Sequence, residues 1–143
     1  MFHSDFLPFR FSAEIRPTDS YYRNEYILPV GAINNYEELI DVAGNFNPSS
    51  GIFTVGNNID DSGTYIFFYG GWKNPGHFGV ISISKNEEII QLNMEDDKEN
   101  TLKISGMFTL KLQSGDRVKL SNEFEDSIDI RTTRPFTFTG YKI

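Results

Sequence analysis

The sequence predicts an all-β protein, an antiparallel sandwich of about ten strands around one hydrophobic core. Aromatic residues make up 15% of the chain, with 13 Phe and 7 Tyr beside 12 Gly. This combination favours pleated, half-buried strands that are separated by turns. Segments that alternate apolar and polar residues recur along the chain, whereas no apolar pattern of helical spacing survives beyond about two turns. The 143 residues are enough for one domain of ordinary size.

The clearest strand covers residues 108–112, in which large apolar side chains alternate with polar ones. It stops at the Ser-Gly-Asp turn of residues 114–116, and a second alternating segment follows at residues 117–120. Successive side chains of a strand point to opposite faces, so each segment has one apolar and one polar face. We expect the two segments to pair as an antiparallel hairpin with one face buried.

Two other segments carry large apolar side chains on both faces. Residues 63–69 are apolar at almost every position, and near the chain end Phe138 lies on one face while Tyr141 lies on the other. A strand in a sandwich has one face in the core, so a second apolar face indicates a further buried surface, most simply a subunit interface. The alternative is a sandwich with an exposed aromatic patch.

Charge and composition exclude several classes of protein. The chain has 13 Lys and Arg residues against 20 Asp and Glu residues, a formal net charge of −7, and it has no Cys. This balance argues against a nucleic-acid partner, and the absence of Cys excludes thiolate metal sites, thiol nucleophiles and disulfides. The apolar stretches fall far short of the roughly 20 residues that cross a bilayer. Residues 1–10 contain Asp5 and Pro8 and lack the pattern of a signal peptide.

No arrangement of residues points to catalysis. His3 and His77 are the two imidazoles of the chain, and their spacing suggests no nucleophile with an adjacent base. No glycine-rich loop leads into a helix, as a phosphate-binding loop would. We therefore expect a protein that is not an enzyme.

Several short motifs follow one another in the order found in a known family. They are Phe11-Ser12-Ala13, Phe46 with the stretch 47–54, Gly63-Thr64-Tyr65-Ile66-Phe67, Lys85-Asn86, Ser105-Gly106, the block from Leu110 through Gly115-Asp116 to Leu120, and the closing residues 136–141. Together they resemble the globular head domain of complement component 1q, a family that shares the trimeric jelly roll of the tumour necrosis factor cytokines. The resemblance covers residues 11–143 and leaves residues 1–10 as an N-terminal extension.

The resemblance implies a jelly-roll sandwich that forms a homotrimer around its aromatic strands. The residues expected at the trimer interface are Tyr65, Phe67, Phe138 and Tyr141. The implied function is that of a secreted or extracellular recognition module, which binds a protein ligand or receptor through exposed loops and gains avidity from its three copies. Two alternatives stay open: a lectin-like protein of innate immunity that binds carbohydrate, and a structural or coat component that assembles further.

Three residues are candidates for ligand binding. Trp72 follows two glycines and precedes Lys73, and His77 lies in the next loop. An exposed Trp can stack on a sugar or contact a protein, although packing in a core or an interface is the common alternative.

An acidic run in the region of residues 91–103 is the candidate metal site. Glu95, Asp96 and Asp97 offer the carboxylate oxygens that Ca²⁺ prefers. Calcium is the one cofactor that the sequence suggests, and a solvated acidic loop is the alternative. Leu102 and Lys103 stand where calcium-binding members of the family tend to have a second acidic ligand.

Overall fold

The computed structural model of the chain describes residues 10–15, 25–28, 31–34, 36–42, 45–73, 79–95, 102–123, 128–131 and 136–143. In this part of the chain the regular elements are strands and one short 3-10 helix, Ile59–Asp61. The all-β prediction is confirmed. None of the described helical residues belongs to a segment long and apolar enough to span a membrane.

Thirteen strands are present in the described residues. They are β1 (Arg10–Ile15), β2 (Glu25–Leu28), β3 (Gly31–Ala32), β4 (Glu37–Val42), β5 (Phe46–Asn47), β6 (Ile52–Thr54), β7 (Gly63–Lys73), β8 (Gly79–Lys85), β9 (Glu88–Glu95), β10 (Leu102–Leu112), β11 (Arg117–Asn122), β12 (Ile128–Arg131) and β13 (Phe136–Lys142). One sheet has the order β10-β7-β13-β1-β4, and the other has the order β5-β6-β11-β8-β9 with β3 beside β11. Strands β2 and β12 form a separate pair. The two main sheets form the predicted jelly-roll sandwich.

Side-chain alternation decides which face of each strand enters the core. In β13, Phe136 and Phe138 are buried, whereas Thr137 and Thr139 point outward and are partly exposed. The same alternation runs through β1, where Phe11 and Ala13 are buried. Strands with one apolar and one polar face are typical of antiparallel sheets that cover a core on one side.

An aromatic cluster joins the two sheets. The ring of Phe11 in β1 stacks on the ring of Phe46 in β5 with centroids 4.3 Å apart, and it meets the ring of Phe138 edge-on at 5.0 Å. The ring of Phe53 in β6, a strand of the same sheet as β5, also stacks on the ring of Phe11, with centroids 5.3 Å apart. Full burial of one such side chain contributes about 1.5–3 kcal/mol, so these rings are a large part of what holds the sandwich closed.

The predicted hairpin of residues 108–112 and 117–120 is wrong. Strand β10 pairs with β7, whereas β11 pairs with β6 and β8 in the opposite sheet. The turn between them crosses from one sheet to the other and is held by the end of β6: the Gly115 N–H donates to the Val55 carbonyl, and the Val55 N–H donates to the Asp116 carbonyl, each at 2.9 Å. The alternation predicted correctly that both strands face the core, but it carried no information about their neighbours.

Candidate functional site

Three of the four residues expected at the trimer interface lie inside the core of the single chain. Tyr65, Phe67 and Phe138 are each 0% exposed. The ring of Phe67 packs against the ring of Phe138 at a centroid distance of 5.9 Å. A side chain that is fully buried within its own chain has no surface left for a second chain, so the expectation fails for these three. Tyr141 differs because it points away from the core and keeps part of its surface exposed.

The opposite face of the same strands carries an apolar surface. The register aligns Met107 of β10, Phe68 of β7 and Thr139 of β13 in one row across the sheet. In the adjacent row Ile66 lies beside Tyr141, and the rings of Tyr141 and Phe68 stack with centroids 6.0 Å apart. Phe68 is 36% exposed and Met107 is 53% exposed. We call Ile66, Phe68, Met107 and Tyr141 the outer apolar face.

A second apolar surface lies at the end of the other sheet. Strand β9 pairs with β8 and has no second pairing partner among the described strands. Its side chains Ile89, Ile90 and Leu92 are all exposed, Leu92 by 55%. An edge strand with exposed apolar side chains is a ready site for association with another chain. We call these three residues the β9 edge.

A contact between the sheets holds the β9 edge close to the strand that bears Met107. Asn93 of β9 forms a side-chain hydrogen bond with Tyr69 of β7. Burial raises the pKa of Tyr69, and this hydrogen bond offsets part of the rise. Gly106 of β10 leaves the room for it, because a Cβ there would lie 2.3 Å from the Asn93 Nδ2 and 2.5 Å from the Tyr69 ring. The β9 edge and the outer apolar face are therefore adjacent but distinct surfaces.

Three of the residues predicted to bind a ligand or a metal have a described backbone, and each lies at the end of a strand. Trp72 and Lys73 end β7, where their backbone pairs with the start of β10. Glu95 ends β9 and pairs with Gly79, the first residue of β8. The side chains of these three candidates, and all of His77, Asp96 and Asp97, lie outside the part that the structure describes. Their roles in ligand and calcium binding stay predictions.

Two turns of the sandwich are joined by one side chain. The Asn86 Nδ2 donates to the Asp116 Oδ1, and the Asn86 Oδ1 accepts from the Arg117 N–H, both at 2.9 Å. The Asn86 N–H also donates to the Arg117 carbonyl at 2.8 Å. Asn86 has a φ of 53°, a left-handed conformation that Asn adopts more readily than most residues. The Lys-Asn pair singled out by the resemblance therefore belongs to a turn whose Asn braces the β10–β11 turn.

The carboxylate of Asp116 closes the same network. Burial alone would raise its pKa, but the hydrogen bonds from the Gln113 N–H and the Asn86 side chain, together with the charge of Lys85, outweigh burial and lower the pKa of Asp116. The Gln113 N–H lies 2.8 Å from the Asp116 Oδ2. The carboxylate is therefore held ionised as a structural bridge, and not as a proton donor at neutral pH.

Two adjoining cavities were not anticipated from the sequence. The larger is an open groove of about 800 Å³, lined by Asn45, Phe46, Asn47, Pro48, Ser50, Ile52, Thr54, Val55, Gly56, Asn57, Gly115 and Arg117. The smaller, about 260 Å³, is lined by Ile52, Ser84, Glu87, Arg117, Val118 and Lys119. They share the lining residues Ile52 and Arg117, so the two cavities are neighbours on the surface. No local signal marked these sites, because their residues are turn and strand residues of mixed polarity that come together only through the pairing of β6, β8 and β11.

Comparison with known proteins gives one family and several similar folds. The sequence model of the C1q domain matches residues 11–143. The globular domain of the zebrafish complement 1qA protein has a TM-score of 0.67 at 18% identity, covering 96% of this chain and 97% of that chain. Murine APRIL at pH 5.0 has a TM-score of 0.65 at 8% identity, and the match covers 94% of this chain and 98% of that chain. The Eiger TNF from S. frugiperda has a TM-score of 0.63 at 13% identity, covering 95% and 93%. At these identities the structural likeness establishes a common fold.

Proposed function

The chain belongs to the C1q domain family, and from this premise we propose that it is a recognition module that trimerises and binds a protein ligand or receptor through its exposed loops. Domains of this family and of the related TNF-like proteins are generally non-enzymatic recognition domains and are commonly extracellular. The observation that carries the proposal is the outer apolar face, which a single chain leaves exposed.

The size of the exposed side chains favours association. Phe68 and Met107 are large apolar residues on a regular sheet, and the stacked Tyr141 extends their surface. Soluble monomers rarely expose large contiguous apolar patches. We infer that the second apolar face of β7 and β13, which the sequence predicted to be an interface, is this outer face. The proposed interface uses β7 and β13, as predicted, and keeps Tyr141. Its side chains on β7 are Ile66 and Phe68, which alternate with the predicted Tyr65 and Phe67.

The two apolar surfaces differ in kind, and this difference favours a ring. The outer apolar face is the flat side of one sheet, whereas the β9 edge is the rim of the other. A contact between two different patches is head-to-tail, and such contacts close into rings when the rotation permits. We propose that the β9 edge of one copy packs on the outer apolar face of the next, and that three copies close the ring, as the family resemblance implies.

A trimer presents each loop three times. Weak contacts at three copies combine into higher avidity without any new contact. Three chains together carry three times the formal charge of −7, which favours ligands with cationic groups. Trp72, Lys73 and His77 remain the proposed ligand contacts, and Glu95, Asp96 and Asp97 remain the proposed calcium ligands.

One observation favours carbohydrate as a second candidate ligand. Part of the lining of the groove of about 800 Å³ consists of neutral amides and hydroxyls, among them Asn45, Thr54 and Asn57, beside apolar residues such as Phe46 and Ile52. Such groups donate and accept hydrogen bonds, as the hydroxyls of a sugar also do. This groove lies outside the loops that flank Trp72 and Glu95.

The molar mass in solution tests the proposal. Light scattering behind a sizing column is expected to give three times the chain mass for the parent protein and the mass of one chain for Phe68→Glu, because a carboxylate on the outer apolar face would be buried without a partner. Ile59→Glu is the matched control, since Ile59 is 93% exposed and belongs to the 3-10 helix and not to the strands of that face. A monomeric parent would refute the trimer, and a trimeric Phe68→Glu would refute this face.

Repeating the measurement in EDTA separates the calcium proposal from the trimer. A trimer that dissociates only in EDTA would support a role for metal in assembly. A trimer of the same mass in calcium and in EDTA would show that assembly does not depend on the acidic run.

A further inference from the structure

The smaller of the two cavities lies on the solvent side of the six-stranded sheet. Strand β8 alternates Ile83, which is in the core, with Ser84, which therefore points to the opposite side. The register places Ser84 directly beside Lys119 of β11. Arg117 precedes Lys119 by two positions and lies on the same face. The cavity is thus built mainly on the paired strands β8 and β11, and Ile52 of β6 and Glu87 of the β8–β9 turn complete its lining.

Ser84 is a polar group without a partner. Its side chain is 3% exposed, and its Oγ makes no hydrogen bond with any described residue. A buried hydroxyl left unpaired is destabilising. Because Ser84 lines the cavity, its hydroxyl can donate a hydrogen bond to a ligand atom that reaches it.

Two cationic side chains line the same cavity as this hydroxyl. The Lys119 side chain makes no hydrogen bond or ion pair with any other described residue, and it is partly buried where it lines the cavity. The Arg117 Nη2 lies 3.5 Å from the Glu87 Oε2, and both side chains are largely exposed. Exposed ion pairs of this kind contribute little to the stability of the folded protein. The chain carries a net charge of −7, and this cavity brings together two cations and one carboxylate.

The carboxylate of Glu87 is held at the rim by an unfavourable backbone. Glu87 has a φ of 72° and follows Asn86 at 53°, so the turn between β8 and β9 has two consecutive left-handed residues. Turns of this type strongly favour Asn-Gly, and this chain has Asn-Glu. Strained residues of this kind cluster at binding sites, and here the strained residue places a carboxylate on one of the cavity's cations.

We propose that this cavity binds the sulfate or carboxylate group of an acidic saccharide. Lys119 and Arg117 supply positive charge, the Ser84 hydroxyl donates a hydrogen bond, and the ligand's oxyanion displaces the Glu87 carboxylate from Arg117. The saccharide is inferred because the cavity adjoins the larger groove at Ile52 and Arg117, and part of that groove's lining consists of amides and hydroxyls. That part rests on the carbohydrate candidate above, whereas the oxyanion contact rests on the cavity alone.

The test compares ligands that differ in one charged group. The full chain is titrated by calorimetry with a sulfated disaccharide, with the same disaccharide lacking sulfate, and with inorganic sulfate. The sulfated disaccharide is expected to bind at least roughly tenfold more tightly than the neutral one, a factor equivalent to 1.4 kcal/mol. Inorganic sulfate is expected to compete with it.

Three variants assign the binding to the cavity. Lys119→Gln is expected to lose about tenfold in affinity for the sulfated disaccharide and none for the neutral one. Glu87→Gly is expected to bind the sulfated disaccharide more tightly, because it removes the competing carboxylate. Lys111→Gln, an exposed lysine on β10 of the other sheet, is the matched control and is expected to bind as the parent does. Thermal unfolding of each variant verifies that it is folded.

The outcomes distinguish the two parts of the proposal. Equal affinity of Lys119→Gln and the parent for the sulfated disaccharide would overturn the cavity as the site, even if the groove binds sugar. Binding of inorganic sulfate that depends on Lys119, with neither disaccharide bound, would overturn the saccharide and the carbohydrate candidate together while the oxyanion contact stands. Failure of all three ligands to bind would overturn the proposal entirely.

Discussion

Gly140 shows how one missing side chain shapes the core. A Cβ at this position of β13 would lie 2.6 Å from the Phe67 Cδ1 and 2.7 Å from the Phe11 Cε1. Both rings are fully buried among other rings, so they have little space into which to move. The closing Phe-Thr-Phe-Thr-Gly-Tyr motif therefore has a Gly because two aromatic rings rest against its backbone.

Replacing Gly140 with Ala is expected to lower the free energy of unfolding by about 1–3 kcal/mol, the usual cost of overpacking a core. Gly70→Ala is the matched control in β7, because a Cβ there would meet only the Thr137 Oγ1, at 3.3 Å. Urea unfolding of both variants measures the difference. If Gly140→Ala were no more destabilised than Gly70→Ala, the close packing of the two rings would not be the reason for the glycine.

At the scale of elements, the connection between β8 and β9 carries the clearest local conflict. The Lys85-Asn86 pair suits its turn, because Asn86 adopts a left-handed conformation and braces the Asp116 turn. Glu87 also has a left-handed backbone conformation. Its longer side chain lacks the local hydrogen bonding that favours this conformation for Asn, and its Cβ disfavours a positive φ. The turn is thus well determined at its first position and strained at its second.

Glu87→Gly is expected to raise the free energy of unfolding by about 0.5–1 kcal/mol, the relief of the left-handed strain less the added freedom of Gly in the unfolded chain. Glu87→Ala is the matched control, because it removes the same carboxylate and keeps the Cβ. Denaturant midpoints of the two variants separate the backbone effect from the loss of the Arg117 pair. Equal midpoints for Gly and Ala would contradict strain at this position.

Elements also mark the limit of what alternation predicts. Strands at residues 108–112 and 117–120 were placed correctly, with their apolar faces toward the core. Their pairing was not, because the side-chain period is the same whether a short turn joins neighbours in one sheet or crosses to the other. The hydrogen bonds of Val55 to the β10–β11 turn hold that turn in the conformation that crosses between the sheets. Val55 is far from the turn in sequence, so local alternation carried no sign of this contact.

For the whole molecule, the arrangement of surfaces distinguishes the proposed ring from other assemblies. The outer apolar face and the β9 edge belong to different sheets, and Asn93 fixes β9 against the sheet that bears Met107. A head-to-tail ring uses both surfaces of each copy, whereas a symmetric dimer would use one surface twice.

If the proposed ring forms, Leu92→Lys is expected to shift the protein toward monomer, because it places a charge on the β9 edge at a position that is 55% exposed in one chain and that the proposed contact would bury. Sedimentation equilibrium measures the association constant, and the loss is expected to reach at least about a hundredfold, or 2.7 kcal/mol. Glu88→Lys, at the first residue of the same strand, is the matched control. Association that is lost in Phe68→Glu but intact in Leu92→Lys would indicate contact between two outer faces instead.

The sequence by itself determined the all-β class, the jelly-roll family and the strands with two apolar faces, because these follow from local alternation, turn residues and the order of short motifs. It could not decide which of those faces is buried: Tyr65 and Phe67 entered the core, and Ile66 and Phe68 stayed outside. Nor could it bring Ser84 to Lys119, which only the pairing of β8 with β11 makes neighbours. Local patterns specify the faces of a strand, whereas the packing of two sheets chooses between them and assembles sites from residues distant in the chain.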